Sequence, residues 1–323
     1  MPSSKTAALS SRFAIYAALV GNVLVAATKL AAAMWTGSSA MLSEGIHSIV
    51  DTGNELLLLY GIHRAARRPD RNHPLGHGRE IYFWSFIVAL LVFAAGACVS
   101  IYEGVSHVLH PAPVENVAVS YIVLALSVLF DGTSWVITMK TFRGKRAYSE
   151  LLDAVHESKD PPSFIVLFED SAALIGLAIA FLGIFLSQLL KQPVFDGIAS
   201  ILIGLVLAIT ATLLARETKG LLIGERADQS IVDSILRLTA EMDGVAHANE
   251  VLTIHLAPDQ IMVALSIEFA DELRTSDIEA RVVDLEREVR EAHPAVVALF
   301  VKPQTCGHWR EVSARRLAES IAD

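Results

Sequence analysis

The chain has 323 residues, 53% of them hydrophobic, and a mean hydropathy of +0.48. A formal net charge of −9 and a sequence pI near 5.7 argue against nucleic acid as a partner. The two cysteines, Cys98 and Cys306, lie far apart, so neither a disulfide framework nor a Cys-rich zinc motif is available.

In chain order, residues 1–11 form a short polar segment without the features of a cleavable signal peptide. With no Arg/Ser-rich transit peptide either, a bacterial inner membrane is the simplest expected location. Residues 12–216 hold the long apolar blocks and read as a transmembrane domain. Six spans fit: Phe13–Trp35, Ala40–Ile62, Ile81–Val108, Val117–Thr138, Ser163–Leu189 and Phe195–Ala215. The second is the least apolar, as expected of a helix facing protein rather than lipid. The loops after the second and fourth spans carry Arg64, Arg67, Arg68, Arg71 and Arg79, then Lys140, Arg143, Lys145, Arg146 and Lys159. The remaining connections are nearly free of Lys and Arg, so the basic bias puts both termini in the cytoplasm. Ala147–Ser158 reads as a short amphipathic helix at that surface.

Residues 217–228 read as a linker, 229–304 as a soluble domain and 305–323 as a charged, helical or frayed tail. Within the soluble part, Asp228–Glu241 has helical periodicity. Val251–Leu256 and Ile261–Phe269 read as strands joined by a turn at Pro258-Asp259-Gln260. Ser276–Ala292 is an amphipathic helix with Asp277 as its starting residue, and Val296–Val301 is a last strand. The αββαβ order implies a small α+β, ferredoxin-like domain with its helices on one face of the sheet.

Three clusters carry chemistry. Glu44, His47 and Asp51 fall at offsets that place them on one face of the second span. Ionisable groups at membrane depth cost at least ~3 kcal/mol each on insertion scales and mark function. Imidazole with carboxylate suits zinc, and also manganese, iron or cobalt. Glu169 and Asp170 form an acidic pair in the fifth span. Neighbours on a helix point about 100° apart, so one of the two, Asp170, is expected in the site. Asp70, His73 and His77, in a Pro/Gly-marked loop, could clip a further metal ion. Asn22, Asn54, Asp131 and Asp196 line a pathway or hydrogen-bond between helices. His107, His110, His247, His255 and His293 read as ordinary surface or core histidines.

Ser38-Ser-Ala-Met-Leu-Ser-Glu-Gly-Ile-His-Ser-Ile-Val-Asp51 and Asn72-His-Pro-Leu-Gly-His-Gly-Arg-Glu80 together resemble the cation diffusion facilitator family of proton-coupled metal exporters. The resemblance covers nearly the whole chain, and the Glu169-Asp170 pair is similar to the zinc transporter nine subgroup. It implies a homodimeric transporter, not an enzyme, that exchanges Zn2+ for protons across a lipid bilayer and needs no cofactor. It implies His47, Asp51 and Asp170 as transport ligands and Asp70, His73 and His77 as a secondary loop site. Many members offer a His or Asp where this chain has Val166, so the fourth ligand is Glu169, Glu44 or water. The family's histidine-built binuclear site in the soluble domain falls near Asn249, Ser266 and Val301 here, so it is expected to be absent. The oxygen-rich fifth span shifts metal preference somewhat toward manganese or iron(II). A metal-sensing membrane scaffold without net transport would use the same ligands. An intramembrane enzyme is disfavoured by the absence of His-Glu-x-x-His.

Overall fold

Turn chemistry sets the helix boundaries of the membrane-type half. In a computed structural model, which describes residues 4–143 and 158–322, α1 (Ser4–Thr36) ends at Gly37, whose φ of +67° suits glycine. Next come α2 (Ser39–Ala65), α3 (Glu80–Leu91), a π-helical stretch (Val92–Ala97) and α4 (Cys98–Leu109), the last three forming one continuous run. Then follow α5 (Val117–Arg143), α6 (Pro161–Leu189) and α7 (Val194–Ile223). Two prolines open α6 after Asp160, where the missing N–H groups cost nothing. The amphipathic helix expected at Ala147–Ser158 falls on residues 144–157, outside the described ones.

Among the described residues four spans, at 80–109, 117–140, 161–189 and 194–223, are long and apolar enough to cross a membrane. The other two long helices, α1 and α2, carry the buried polar and charged groups described below. Leu126 and Leu129 of α5 project outward, as a lipid-facing surface requires. The contacts divide the chain into two units, residues 1–64 with 80–219, and 65–79 with 220–323. The loop 65–79 therefore groups with the C-terminal unit rather than with the helices that flank it in sequence.

In the first unit, α5 packs chiefly on α6 and α1. Small residues let helices approach closely where apolar burial offers little drive. A Cβ on Gly104 of α4 would lie 2.7 Å from the Gly197 carbonyl oxygen of α7. Around these contacts Met41, Leu177, Ile184, Ile203 and Leu207 form a buried cluster. Asp196, fully buried in α7, caps the start of α2: its carboxylate accepts from Ser39 N at 2.5 Å, Ala40 N at 3.4 Å and Ser38 Oγ at 2.6 Å. An anion here meets the unsatisfied N–H groups and positive dipole end of the helix.

The C-terminal unit has three strands, β1 (Val245–Ala257), β2 (Gln260–Phe269) and β3 (Val296–Pro303), in that spatial order. β1 and β2 are antiparallel, and β3 runs parallel to β2. Alternate residues Ile261, Val263, Leu265 and Ile267 of β2 are buried against Ile235 of α8 (Gln229–Ala240) and Leu285 and Val289 of α9 (Thr275–Ala292). Asp228 caps α8 by accepting from Ser230 N at 2.7 Å.

Two sequence expectations change, and a third, a helical tail, is met. α7 runs on to Ile223, so most of the expected linker is helix. Asp277 is the third residue inside α9 rather than its start: Arg274 is the cap, and its N–H donates to Asp277 Oδ2 at 3.1 Å. The tail is α10 (Cys306–Ala322), which packs on β1 and β2. Its Trp309, Val312 and Ser313 line a pocket with Leu252, Ala264 and Lys302, so this helix lies on the sheet face opposite α8 and α9. Trp309 Nε1 donates to Glu250 Oε2 at 3.0 Å, which anchors it there.

Candidate metal centre

The periodicity of α2 puts His47, Ser48, Asp51, Asn54 and Glu55 on one flank of the helix. His47 is 1% exposed, and its Nδ1 lies 3.3 Å from Asp51 Oδ1, one helical turn on. Among the described residues, neither ring nitrogen of His47 has a hydrogen-bond partner, and neither does Asp51 Oδ1. Buried polar atoms without partners are uncommon in folded chains and call for an explanation.

Asp51 opens into a cleft of about 50 Å³, several times the space one water molecule needs. Its lining comes from α1 (Asn22), α2 (Ser48, Glu55), α5 (Asp131, Ser134) and α6 (Val166, Glu169, Asp170). Both acids of the α6 pair line it, Glu169 as well as Asp170. The 100° between them is spanned because the cleft lies between two neighbouring helices. Glu169 turns to α2, where Asn54 Nδ2 donates to its Oε1 at 2.6 Å. Asp170 turns to α5, where Ser134 Oγ donates to its Oδ2 at 3.0 Å. Val166 occupies the cleft wall one turn before Asp170 and supplies no donor.

Glu44 does not line this cleft. It is fully buried, and its Oε2 lies 3.3 Å from Lys29 Nζ of α1. That ammonium also reaches Asp131 Oδ2 at 3.1 Å. Neither Lys29 nor Glu55, which accepts from Asn22 Nδ2 at 2.6 Å, was singled out from sequence. The same signal that drew notice to Glu44 was available for Lys29: a lone ionisable residue inside an apolar span.

Among the described residues, one trio brings its ligand atoms within 4.8 Å of one another: Asp70, His73 and His77. His73 Nδ1 is 3.2 Å from Asp70 Oδ1, and His77 Nε2 is 3.1 Å from Asp70 Oδ2. The backbone N–H of His73, helped by the His77 ring and the Asn72 N–H, holds the Asp70 carboxyl down at about 2. A left-handed Gly76, φ +87°, lets the loop fold back between the two histidines. By contrast, Asp51, Glu169 and Asp170 are spread along the cleft rather than gathered on one point, with His47 beside Asp51.

In the C-terminal unit, Asn249 Nδ2 donates to Gln304 O at 2.8 Å and lies 3.3 Å from Ser266 Oγ. Two of the three sheet positions read from sequence as replacements for histidine ligands, Asn249 and Ser266, are thus joined by a hydrogen bond.

A cation efflux transmembrane domain model matches residues 15–223. The proton-coupled zinc antiporter SLC30A9, mitochondrial, of Xenopus laevis is 32% identical over 261 residues, covering 80% of this chain and 46% of that protein. Metal tolerance protein C4 of Arabidopsis thaliana is 32% identical over 230 residues, covering 70% of this chain and 50% of that protein. The cation-efflux pump FieF of Escherichia fergusonii is 23% identical over 271 residues, covering 82% of this chain and 83% of that protein. The chain spans about half the length of the first two relatives. With the transmembrane domain matched from end to end of the helical bundle, the chain belongs to the cation efflux (cation diffusion facilitator) family of membrane transporters, close to the SLC30A9 group.

Proposed function

We propose that this protein exports a divalent metal ion, Zn2+ first among candidates, in exchange for protons. One observation carries the reading: Asp51, Glu169 and Asp170, from two helices, line one cleft at membrane depth, with His47 beside Asp51. Metal binding and protonation compete for the same lone pairs, because a ligand must shed its proton to coordinate. Protons arriving from the far side then displace the metal and ride back. The spread of these groups along the cleft suits a carrier, which needs a reversible site that gathers around its cargo and opens alternately to each side. Glu169, aimed by Asn54, is the proposed fourth ligand in place of Val166.

In this reading all six long helices of the first unit cross the bilayer, and the basic loops place both termini in the cytoplasm. The C-terminal unit is a cytoplasmic ferredoxin-like domain, and the assembly is a homodimer. Asp70, His73 and His77 form a second metal site in the loop. The names of the SLC30A9 relatives support zinc and proton coupling. Carboxylates outnumber imidazoles in the cleft, which also suits manganese or iron(II), and competition between Zn2+ and Mn2+ during flux separates the two.

The test is zinc flux into proteoliposomes under an imposed pH gradient. Wild-type protein is expected to move zinc faster when protons run the opposite way. His47→Ala with Asp51→Ala is expected to bring flux to background. Wild-type flux from that double variant overturns the assignment, and zinc binding without flux in the wild type favours a sensing scaffold.

A further inference from the structure

Lys29 is 0% exposed in α1, and its ammonium stands between two acids from different helices, Glu44 of α2 at 3.3 Å and Asp131 of α5 at 3.1 Å. Asp131 is also a wall residue of the cleft that holds Asp51, Glu169 and Asp170. Glu44 is closed in on its other side: a Cβ on Gly176 of α6 would run into its Oε1. Among the described residues that oxygen has no hydrogen-bond partner, and Lys29 is the one partner of the Glu44 side chain.

An ammonium carries three donors and no acceptor, so it can satisfy carboxylates but cannot itself ligate a metal while charged. Two carboxylates facing one point are what a divalent cation seeks. Here that point is taken by a cation that cannot leave, and a second cation there would meet like-charge repulsion in a poorly screened environment. We propose that Lys29 is a tethered cation that withdraws Glu44 and Asp131 from the metal's ligand set, limiting the carboxylates that the moving ion can engage. Lys29 is thus a positioning residue, and the proposal rests on the cleft being the metal's path. It explains why Glu44, on the same helix face as His47 and Asp51, does not reach the cleft. It also gives a reason for a lysine at this depth: with every acid available, the ion would be held too tightly to release.

The test uses full-length protein in which Asp70, His73 and His77 are all replaced by Ala, so that the loop contributes no binding. Zinc stoichiometry and affinity are measured by equilibrium dialysis, and flux in proteoliposomes. Lys29→Met is expected to bind one more zinc ion, or to bind zinc about tenfold more tightly, and to release it more slowly, because it bares two buried acids. Lys29→Arg, which keeps the charge, is expected to behave as the parent. Lys29→Met with Glu44→Gln and Asp131→Asn removes all three charges and is expected to return stoichiometry and affinity to parental values. Unchanged binding in Lys29→Met overturns the proposal. A loss of about tenfold in affinity in the all-neutral variant also overturns it, by making Glu44 or Asp131 a ligand. If Lys29→Met fails to fold, the all-neutral variant, which leaves no unpaired charge, still decides. If the parent shows no flux at all, the transport reading fails while the binding arms still report on Lys29.

Discussion

Glu169 is aimed by a single amide. Asn54 Nδ2 reaches its Oε1 at 2.6 Å from one helix away, and among the described residues no other group donates to that carboxylate. A residue that orients a ligand without touching the metal commonly alters affinity by about 10–100-fold when replaced. Asn54→Leu is therefore expected to weaken zinc binding on that scale while leaving the helices intact by circular dichroism. Unchanged affinity would remove Glu169 from the ligand set. In the loop, the Asp70 carboxyl is held at about 2 by hydrogen bonds to its ionised form. The folded loop thus gains from that ionisation above the ordinary carboxylate value near 4 and loses the gain as pH falls toward about 2. The Asn72 and His73 amide signals, followed by NMR in selectively labelled protein, are expected to hold their bonded shifts until that window. Their loss at pH 5 would contradict this. The helical spacing that groups Glu44 with His47 and Asp51 is real, but an ion pair from another helix separates their roles.

At the scale of elements, the start of α2 is fastened from outside by Asp196 of α7. Ser39 N and Ala40 N donate to a carboxylate that is wholly buried. Asp196→Ala would leave these N–H groups without an acceptor, and removing a cap of this kind costs about 0.5–2 kcal/mol. The expected outcome is a lower apparent melting temperature in detergent, with Asp196→Asn falling less because its side-chain oxygen still accepts. Equal melting temperatures for all three proteins would contradict the capping role. The acid was visible in sequence near membrane depth, but its partner was not, since Ser38 and Ser39 lie more than 150 residues away in the chain. Helix ends show the same division. The start of α8 near Asp228 was legible, because its periodicity and its cap are matters of neighbouring residues. The continuation of α7 through the supposed linker was not, because glycines and charges near Lys219 and Gly220 read locally as a break.

For the whole molecule, hydropathy and basic-loop patterning separated a helical membrane domain from a small α/β domain, and the family match over residues 15–223 agrees. These are properties of local composition: a segment's preference for lipid or water is set almost entirely by its own side chains. Alternating burial in β2 and amphipathic α9 were legible for the same reason. Tertiary structure alone decided which charges meet. It joined Lys29 to Glu44 and Asp131, turned both Glu169 and Asp170 into one cleft, placed α10 on the far face of the sheet and grouped the loop 65–79 with the C-terminal unit. The sequence by itself determined the inventory of elements and of ionisable groups at membrane depth. Their sorting into cleft-lining acids, a neutralised pair and a helix cap depended on packing, because that sorting depends on distances of a few ångströms between residues remote in the chain.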